Sequence, residues 1–590
     1  RLLLDQDLAT RSVSLARIYD DLGFDQLAVN QASQSLGLDP ANWSAHRFLS
    51  DSYARLPRHE IARASELLQA QLMQPININP VPPSLAVTDL NVVAGAGPAE
   101  AAFNEFTPLF ARNGAQLTAT GLVGSQHTLG DEVVVSGLWN RWSLSGGQFH
   151  ADTDGFRPNN DVQDNLYGLF GQVAVSPELS LQAEYRHRNN DQGDLLLNFD
   201  PSDFATGTRR SLNDDIARAG LRYSPAPHSD VLLSVFYVDS KEDNVEVTNV
   251  APGLDIAFGG TTKDRGYQAE AQYLFHTDRL NLIAGGAFYD LDVRQRLDAD
   301  PCLVPTGCLS DTRFERQQQK GYGYVNWRLP EDLTWTVGLS IDSFEEDRFD
   351  RDRVNPKLGV QWQAMEWLRL RAAYFRTLKP ALSIQQTLEP TQVAGFNQLF
   401  DDINGTTAEA FALGADVRLT DTAAVGVEFR HRNLDEPVSN TLEQREEDLY
   451  RTYLYWAPHR RWSATAEVRY ETFHQQGAAI SGFPSQLDQL SLPLVLRHFR
   501  PNGLFGQVGA TFLHQDVDRF TGNEGEEDVV LFNAAVGLRL PERRGSVSLE
   551  GRNLLDTNFA YQDLNFITSE RRASPLIPER VVLARLTLSF

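Results

Sequence analysis

The chain has 590 residues, too many for one ordinary globular core, and a formal net charge of -25 at pH 7. That balance argues against nucleic acid as a partner, because phosphate backbones are met by clustered positive charge. Its mean hydropathy of -0.35 and the lack of any run of about 20 apolar residues exclude a helical membrane protein, but leave open a transmembrane β-barrel, whose strands of about 10 residues are apolar only at alternate positions.

Arg1 is not an initiator Met and no signal-like segment follows it, so the sequence is expected to begin inside a longer precursor. From Leu15 to Pro75 a period of 34 residues is visible: Leu15, Tyr19 and Ala28 recur as Leu49, Tyr53 and Ala62. Gly23 falls where two helices would turn, and Asp39-Pro40 and Gln74-Pro75 close the units. The pattern resembles the tetratricopeptide repeat, with a plain helical hairpin as the other reading. Residues 1–75 are therefore expected to form a small α-helical repeat domain in the periplasm. Such a repeat implies a concave face for a periplasmic or cell-surface protein partner.

Residues 76–115 change character. Pro80, Pro82 and Pro83 break the helical pattern, and an Ala/Gly-rich stretch from Ala94 leads into Phe103, Phe106 and Phe110. This segment reads as a linker or as a lumenal element. Because a wide barrel left empty would leak, Ala94 to Phe110 is expected to enter and narrow the lumen, with those three aromatics filling it and long loops folded inward beside it.

Residues 116–590 alternate between apolar-patterned strands and polar connections. Short turns such as Asn140-Arg141, SPEL at Ser176, HTDR at His276 and APHRR at Ala457 alternate with long polar loops, among them those from Asn189, from Asp298, from Lys379 to Glu409 and from Asp556 to Glu579. Ten short turns and eleven loops imply about 22 strands, an even number that returns both chain ends to one side. The fold class is thus mainly β: a transmembrane antiparallel barrel carrying the small helical segment, in the bacterial outer membrane with its long loops outside. Trp139, Trp142, Trp327, Trp335, Trp362, Trp367, Trp456 and Trp462 all flank short turns, as an interfacial girdle requires. Cys302 and Cys308 share one polar loop and are expected to form a local disulfide in an oxidising compartment. The acidic stretches EEDRFDRD from Glu345 and EGEED from Glu524 read as solvated surface rather than cation sites.

In the last strand, Val582, Ala584, Leu586, Leu588 and Phe590 share an apolar face, opposite Arg585, Thr587 and Ser589. The terminal Phe590 is similar to the signal by which outer-membrane proteins are recognised, which implies the barrel assembly machinery as a partner beside outer-membrane lipid and lipopolysaccharide. Two stretches resemble the barrel of TonB-dependent receptors: Asn355-Pro-Lys-Leu-Gly359 with the strand from Leu368, and Asn553-Leu-Leu-Asp556 with Tyr561 and Pro578-Glu-Arg580. The resemblance implies a barrel of about 22 strands. It also implies a globular plug and a TonB box, yet only residues 76–114 separate the repeats from the first strand, and no convincing TonB box is visible.

Glu184-Tyr-Arg-His-Arg188 and Glu428-Phe-Arg-His-Arg432 form a repeated motif. Strand alternation directs Arg186, Arg188, Arg430 and Arg432 into the lumen, as it does Arg369 and Arg371, and turns His187 and His431 outward. These arginines read as polar lumen filler or as a path for an anionic solute. No catalytic constellation stands out, so no enzyme, metal site or cofactor is expected. The order of repeat helices followed by a barrel points to export, secretion or surface assembly of a polymer or protein; alternatives are a TonB-dependent receptor-like importer of a small ligand and a structural anchor with a blocked barrel.

Overall fold

The computed structural model describes residue 16 and residues 18–78, 82–88, 110–251, 254–300, 308–346, 349–380, 382, 384–438, 441–476, 484–519, 523–568 and 572–590. Its main body is a 22-stranded antiparallel sheet. The first strand, Gly114–Gly124, pairs with the last, Val581–Ser589, so that Thr118 meets Ser589 and Gly124 meets Leu583. Closure leaves no free edge in the membrane, where an unpaired peptide group would cost several kcal/mol.

Strand alternation sorts the side chains. Along Leu280–Asp300, Asn281, Ile283, Ala287, Tyr289, Leu291 and Val293 are buried inward. The outward set begins with Leu280, Leu282, Ala284 and Phe288 and then becomes Asp290, Asp292, Arg294 and Arg296. The lipid-facing band therefore ends at Phe288. Other exposed aromatics, Tyr167, Tyr185, Tyr267 and Tyr450, mark the outer rim of that band, and all eight tryptophans singled out above are exposed beside the short turns. An apolar belt bounded by aromatic residues at both ends is the surface of an outer-membrane barrel. No described helix is long and apolar enough to cross a membrane.

Some strands run far beyond the hydrocarbon thickness. Ser229–Ala251 and Leu254–His276 each run 23 residues, roughly 75 Å at about 3.3 Å per residue, more than twice the hydrocarbon thickness. The acidic run from Glu345 lies at the tip of the pair Leu333–Glu346 and Phe349–Met365. Above the membrane the outward face of a strand is wet, so its outward positions turn polar and the sequence looks like loop. Cross-strand ion pairs hold these extensions, among them Arg265–Asp239 at 2.5 Å and Arg294–Asp311 at 2.6 Å. Cys302 lies outside the described residues, and with it the expected disulfide to Cys308.

Three helices precede the barrel: α1 (Asp25–Leu38), α2 (Trp43–Tyr53) and α3 (Glu60–Met73). Gly23 makes the turn before α1 at φ 75°, where a Cβ would fall 2.2 Å from the Arg497 guanidinium. The Asn42 side chain caps α2 by accepting from the Ala45 N–H at 3.1 Å. Val29, Ala32, Ala45, Leu49, Tyr53 and Ala62 form the shared core, small side chains allowing close approach of the helix axes.

These helices stand inside the barrel. The Leu22 carbonyl accepts from Ser463 Oγ at 3.0 Å, the Gly37 carbonyl from Asn281 at 2.6 Å and the Gln74 carbonyl from Gln172 at 3.2 Å. All three wall residues neighbour short turns, so the bundle fills the periplasmic half of the lumen and meets the periplasm through that mouth. The tetratricopeptide expectation is not supported. Every residue of α3 is buried, and the faces that a repeat array would offer to a protein partner are covered by the barrel wall.

Candidate functional site

The site is the plugged lumen, where three parts of the chain meet: the helices, the inner wall and the segment 379–406. That segment starts and ends at the outer rim, between the strands Leu368–Leu378 and Thr407–Thr420. It folds inward, and Leu388, Val393, Phe396 and Phe400 are buried. Leu388, Val393 and Phe396 pack with Leu68, Leu72 and Met73 of α3 in the main apolar cluster of the lumen. Apolar packing of this kind holds position; the specific contacts are polar.

Asp401 accepts from the Ile61 N–H at 2.9 Å. The α3 N-terminus has no side-chain cap of its own, so the inward segment caps this plug helix from outside its chain neighbourhood. Burial pushes the Asp401 carboxyl up to about 6, against the Ile61 bond that favours the charged form. Asp402 lies beside it. Arg58, between α2 and α3, reaches Asp402 at 3.1 Å and Glu447 of the wall at 3.0 Å, and Arg432 joins the same two carboxylates. This quartet ties plug, segment and wall together. Thr391 also donates to Glu66, and Ser33 bonds Gln392.

A second anchor sits on another part of the wall, five strands away from Arg432. Glu389 accepts from Tyr324 Oη at 2.6 Å and pairs with Lys320, which also lies 3.4 Å from Asp342. Burial by itself would raise the Glu389 carboxyl, but Lys320 and Lys357 hold it below its ordinary value. Lys357, from the Asn355-Pro-Lys-Leu-Gly359 stretch, donates to Gln398 Oε1 at 2.5 Å. Glu270 receives the Leu388 N–H at 2.7 Å and Thr387 Oγ1 at 2.9 Å.

The wall meets α1 in the same way. Asn30 donates to Asp416 at 2.9 Å, Gln26 to Glu428 at 3.4 Å, and Phe24 stacks on Tyr455 at 5.0 Å. Arg371 bridges Asp416 at 3.1 Å and Glu428 at 3.5 Å, while Arg369 donates to the Asn30 carbonyl at 3.4 Å. Arg186 donates to the Ala86 carbonyl at 2.8 Å and Arg188 pairs with Asp164 at 2.6 Å. Residues 82–88 therefore also lie in the lumen, with Ser84 Oγ on Glu132 at 2.6 Å. His187 and His431 face outward, paired with Asp215 at 3.0 Å and Asp448 at 2.9 Å.

Of the three aromatics expected to fill the lumen, Phe103 and Phe106 lie outside the described residues; the Phe110 N–H donates to the Asn77 carbonyl at 2.9 Å. Phe590 extends the closing pair, exchanging backbone bonds with Leu117 at 2.8 and 3.0 Å. Sequence reasoning missed Arg58, Asp401, Asp402, Glu389, Lys320 and Lys357. A usable signal was present: Lys320 and Lys357 are lysines at inward strand positions, and a buried lysine requires an anionic partner. Among the described residues no group of three His, Cys, Asp or Glu is placed to hold a metal ion.

Residues 198–424 match the family model described as TonB dependent receptor-like, beta-barrel. Over those residues the barrel is similar to that family's. Among solved structures the chain is similar to the copper transporter OprC, at 12% identity and a TM-score of 0.62, over 82% of this chain and 81% of that one. It is also similar to P. aeruginosa FpvA bound to heterologous pyoverdines, at 13% identity and a TM-score of 0.59, over 81% and 72% of the two chains. The siderophore receptor PiuA from Acinetobacter baumannii aligns at 13% identity and a TM-score of 0.58, over 82% of each chain. Comparison with curated proteins returns no match.

These findings overturn the expectation of export, secretion or surface assembly. That expectation rested on free periplasmic helices docking a cargo; the helices instead occupy the lumen of a barrel similar to those of TonB-dependent receptors.

Proposed function

We propose that this protein is an outer-membrane importer of a small ligand, working as TonB-dependent receptors do, with a helical bundle as its plug. One observation carries the reading: the lumen is closed by elements that attach at opposite mouths and meet each other through hydrogen bonds and ion pairs. Residues 18–78 enter from the periplasmic side, and the segment 379–406 descends from the outer rim, meeting at Asp401–Ile61 and Arg58–Asp402. A ligand arriving from outside bears on the segment, and a force from the periplasm bears on the helices. A permanently blocked anchor would not need a polar seam between two separately tethered parts, since an apolar seam of the same size is as stable or more so.

The similar proteins are described as a copper transporter, as bound to pyoverdines and as a siderophore receptor, which supports a metal or metal chelate as the ligand class. Energy would come through the periplasmic face of the plug, from TonB. The test is whole-cell uptake in a strain deleted for this gene and complemented with it, using labelled ferric siderophores and copper. Expected is ligand accumulation that needs the gene and collapses when the proton gradient is dissipated. Equal accumulation with and without the gene for every metal and chelate tried would overturn the reading.

A further inference from the structure

The repeated motif offers an internal comparison. In its first copy Arg186 donates to the Ala86 carbonyl and pairs with Glu184 at 3.1 Å. Its counterpart in the second copy is Arg430, inward between the buried Glu428 and Arg432 on the strand Ala423–Val438. Of the six lumenal arginines singled out from the sequence, the other five reach a carboxylate, a carbonyl or an amide oxygen. Arg430 has no hydrogen bond or ion pair among the described residues, and its side chain retains partial access to the lumen.

Its surroundings do not compensate. The charged groups acting on it are Arg432, Glu428, Arg58 and Arg451. Glu428 is already engaged by Arg371 and Gln26. Arg58 and Arg432 share Asp402 and Glu447, and Arg451 serves Glu467 at 3.3 Å and Gln26. His59 completes the neighbourhood as a neutral ring: burial drives it down to about 3, the guanidiniums of Arg430, Arg451 and Arg58 push the same way, and its Nδ1–H donates to the Pro57 carbonyl at 2.6 Å. An unpaired guanidinium in a confined lumen is costly, and its flat fork of donors fits a planar or tetrahedral oxyanion.

We propose that Arg430, flanked by Arg58, Arg432 and Arg451, binds a small oxyanion, a carboxylate or phosphate group, at the junction of plug and wall. The bound anion would tie the turn before α3 to the barrel. The inference rests on the plugged lumen and not on the identity of the imported ligand.

The test is isothermal titration of the purified, detergent-solubilised full chain with inorganic phosphate and, separately, with acetate. One saturable site is expected for at least one of them, weakened about tenfold or more in Arg430→Gln and unchanged in Arg313→Gln, whose side chain pairs with Asp292 on the outer face. The two titrations tell a phosphate from a carboxylate preference. If Arg430→Gln fails to fold, Arg430→Lys keeps the charge without the fork and should still weaken binding. Saturable binding of neither anion, or wild-type binding in both Arg430 variants, overturns the proposal. Because binding is read on the isolated protein, a negative uptake experiment leaves this result untouched, and the reverse holds too.

Discussion

The guanidinium of Arg58, on the plug, lies 3.1 Å from the carboxylate of Asp402, on a segment anchored at the outer rim. Both side chains are almost fully buried, and both also contact the wall, Arg58 through Glu447 and Asp402 through Arg432. One ion pair thus joins two parts of the chain that enter the barrel from opposite mouths.

Removing one member of this quartet leaves a buried charge without its partner. Arg58→Ala and Asp402→Ala should each destabilise the closed lumen by about 3–5 kcal/mol, while the paired removal should cost less than the sum. Conductance in planar bilayers reads this directly: each single variant should show more frequent open events than the wild type. Silent membranes from both would exclude a latch role.

Acidification acts on the plug through two groups of opposite sign. Asp401 has a folded-state value near 6, above its ordinary 3.8, so its contribution to stability is largest below 3.8 and is lost as pH rises through about 6. Glu60 and Asp402 push it further up and Lys379 pulls it down. His59, lowered from 6.5 to about 3, contributes above 6.5 and loses that contribution as pH falls toward 3. Hydrogen exchange of the α3 amides between pH 4 and 7 should therefore show acid-weakened protection relieved in His59→Gln. In Asp401→Asn, whose amide oxygen can still accept from Ile61, protection at neutral pH should match or exceed that of the wild type. A His59→Gln profile identical to the wild type would contradict the assignment.

The outer belt makes a quantitative prediction. Val337 and Leu339 face lipid on the strand Leu333–Glu346. Val337→Arg should cost about 2–4 kcal/mol in folding titrations into lipid vesicles, whereas Arg at Ser343, above the belt, should cost about 1 kcal/mol or less. Equal costs would mean that the belt has been misplaced.

Phe590 contributes two backbone bonds to Leu117 but an exposed side chain. Phe590→Ser should leave the folded barrel's thermal stability nearly unchanged while cutting the amount assembled in the outer membrane several-fold. Fractionation of cells expressing each form checks this; equal membrane yields would remove the assembly role.

Much of the barrel was legible in the linear chain because its signals are local. Alternation of period two, short turns beside tryptophan and a last strand apolar on one face each occupy a few consecutive residues, and their repetition gave 22 strands and an orientation. The acidic run from Glu345 was read as a loop for an equally local reason: beyond the lipid the outward positions of a strand turn polar, as Asp290, Asp292 and Arg294 do on the strand Leu280–Asp300. The inward direction of Arg186, Arg188, Arg369, Arg371, Arg430 and Arg432 followed from register parity alone.

Charge argues against nucleic acid and hydropathy excludes helical spans, and the chain itself determined a barrel with a small helical attachment. What only the tertiary structure decided is where that attachment goes. Ala32, Ala45, Leu49 and Ala62 encode helices that pack on one another, and the same pattern serves a free repeat or a plug. The difference lies in partners more than 300 residues away: Arg58 with Asp402 and Glu447, Asn30 with Asp416, Ile61 with Asp401. Such pairs have no spacing rule, because barrel closure and not chain proximity brings them together.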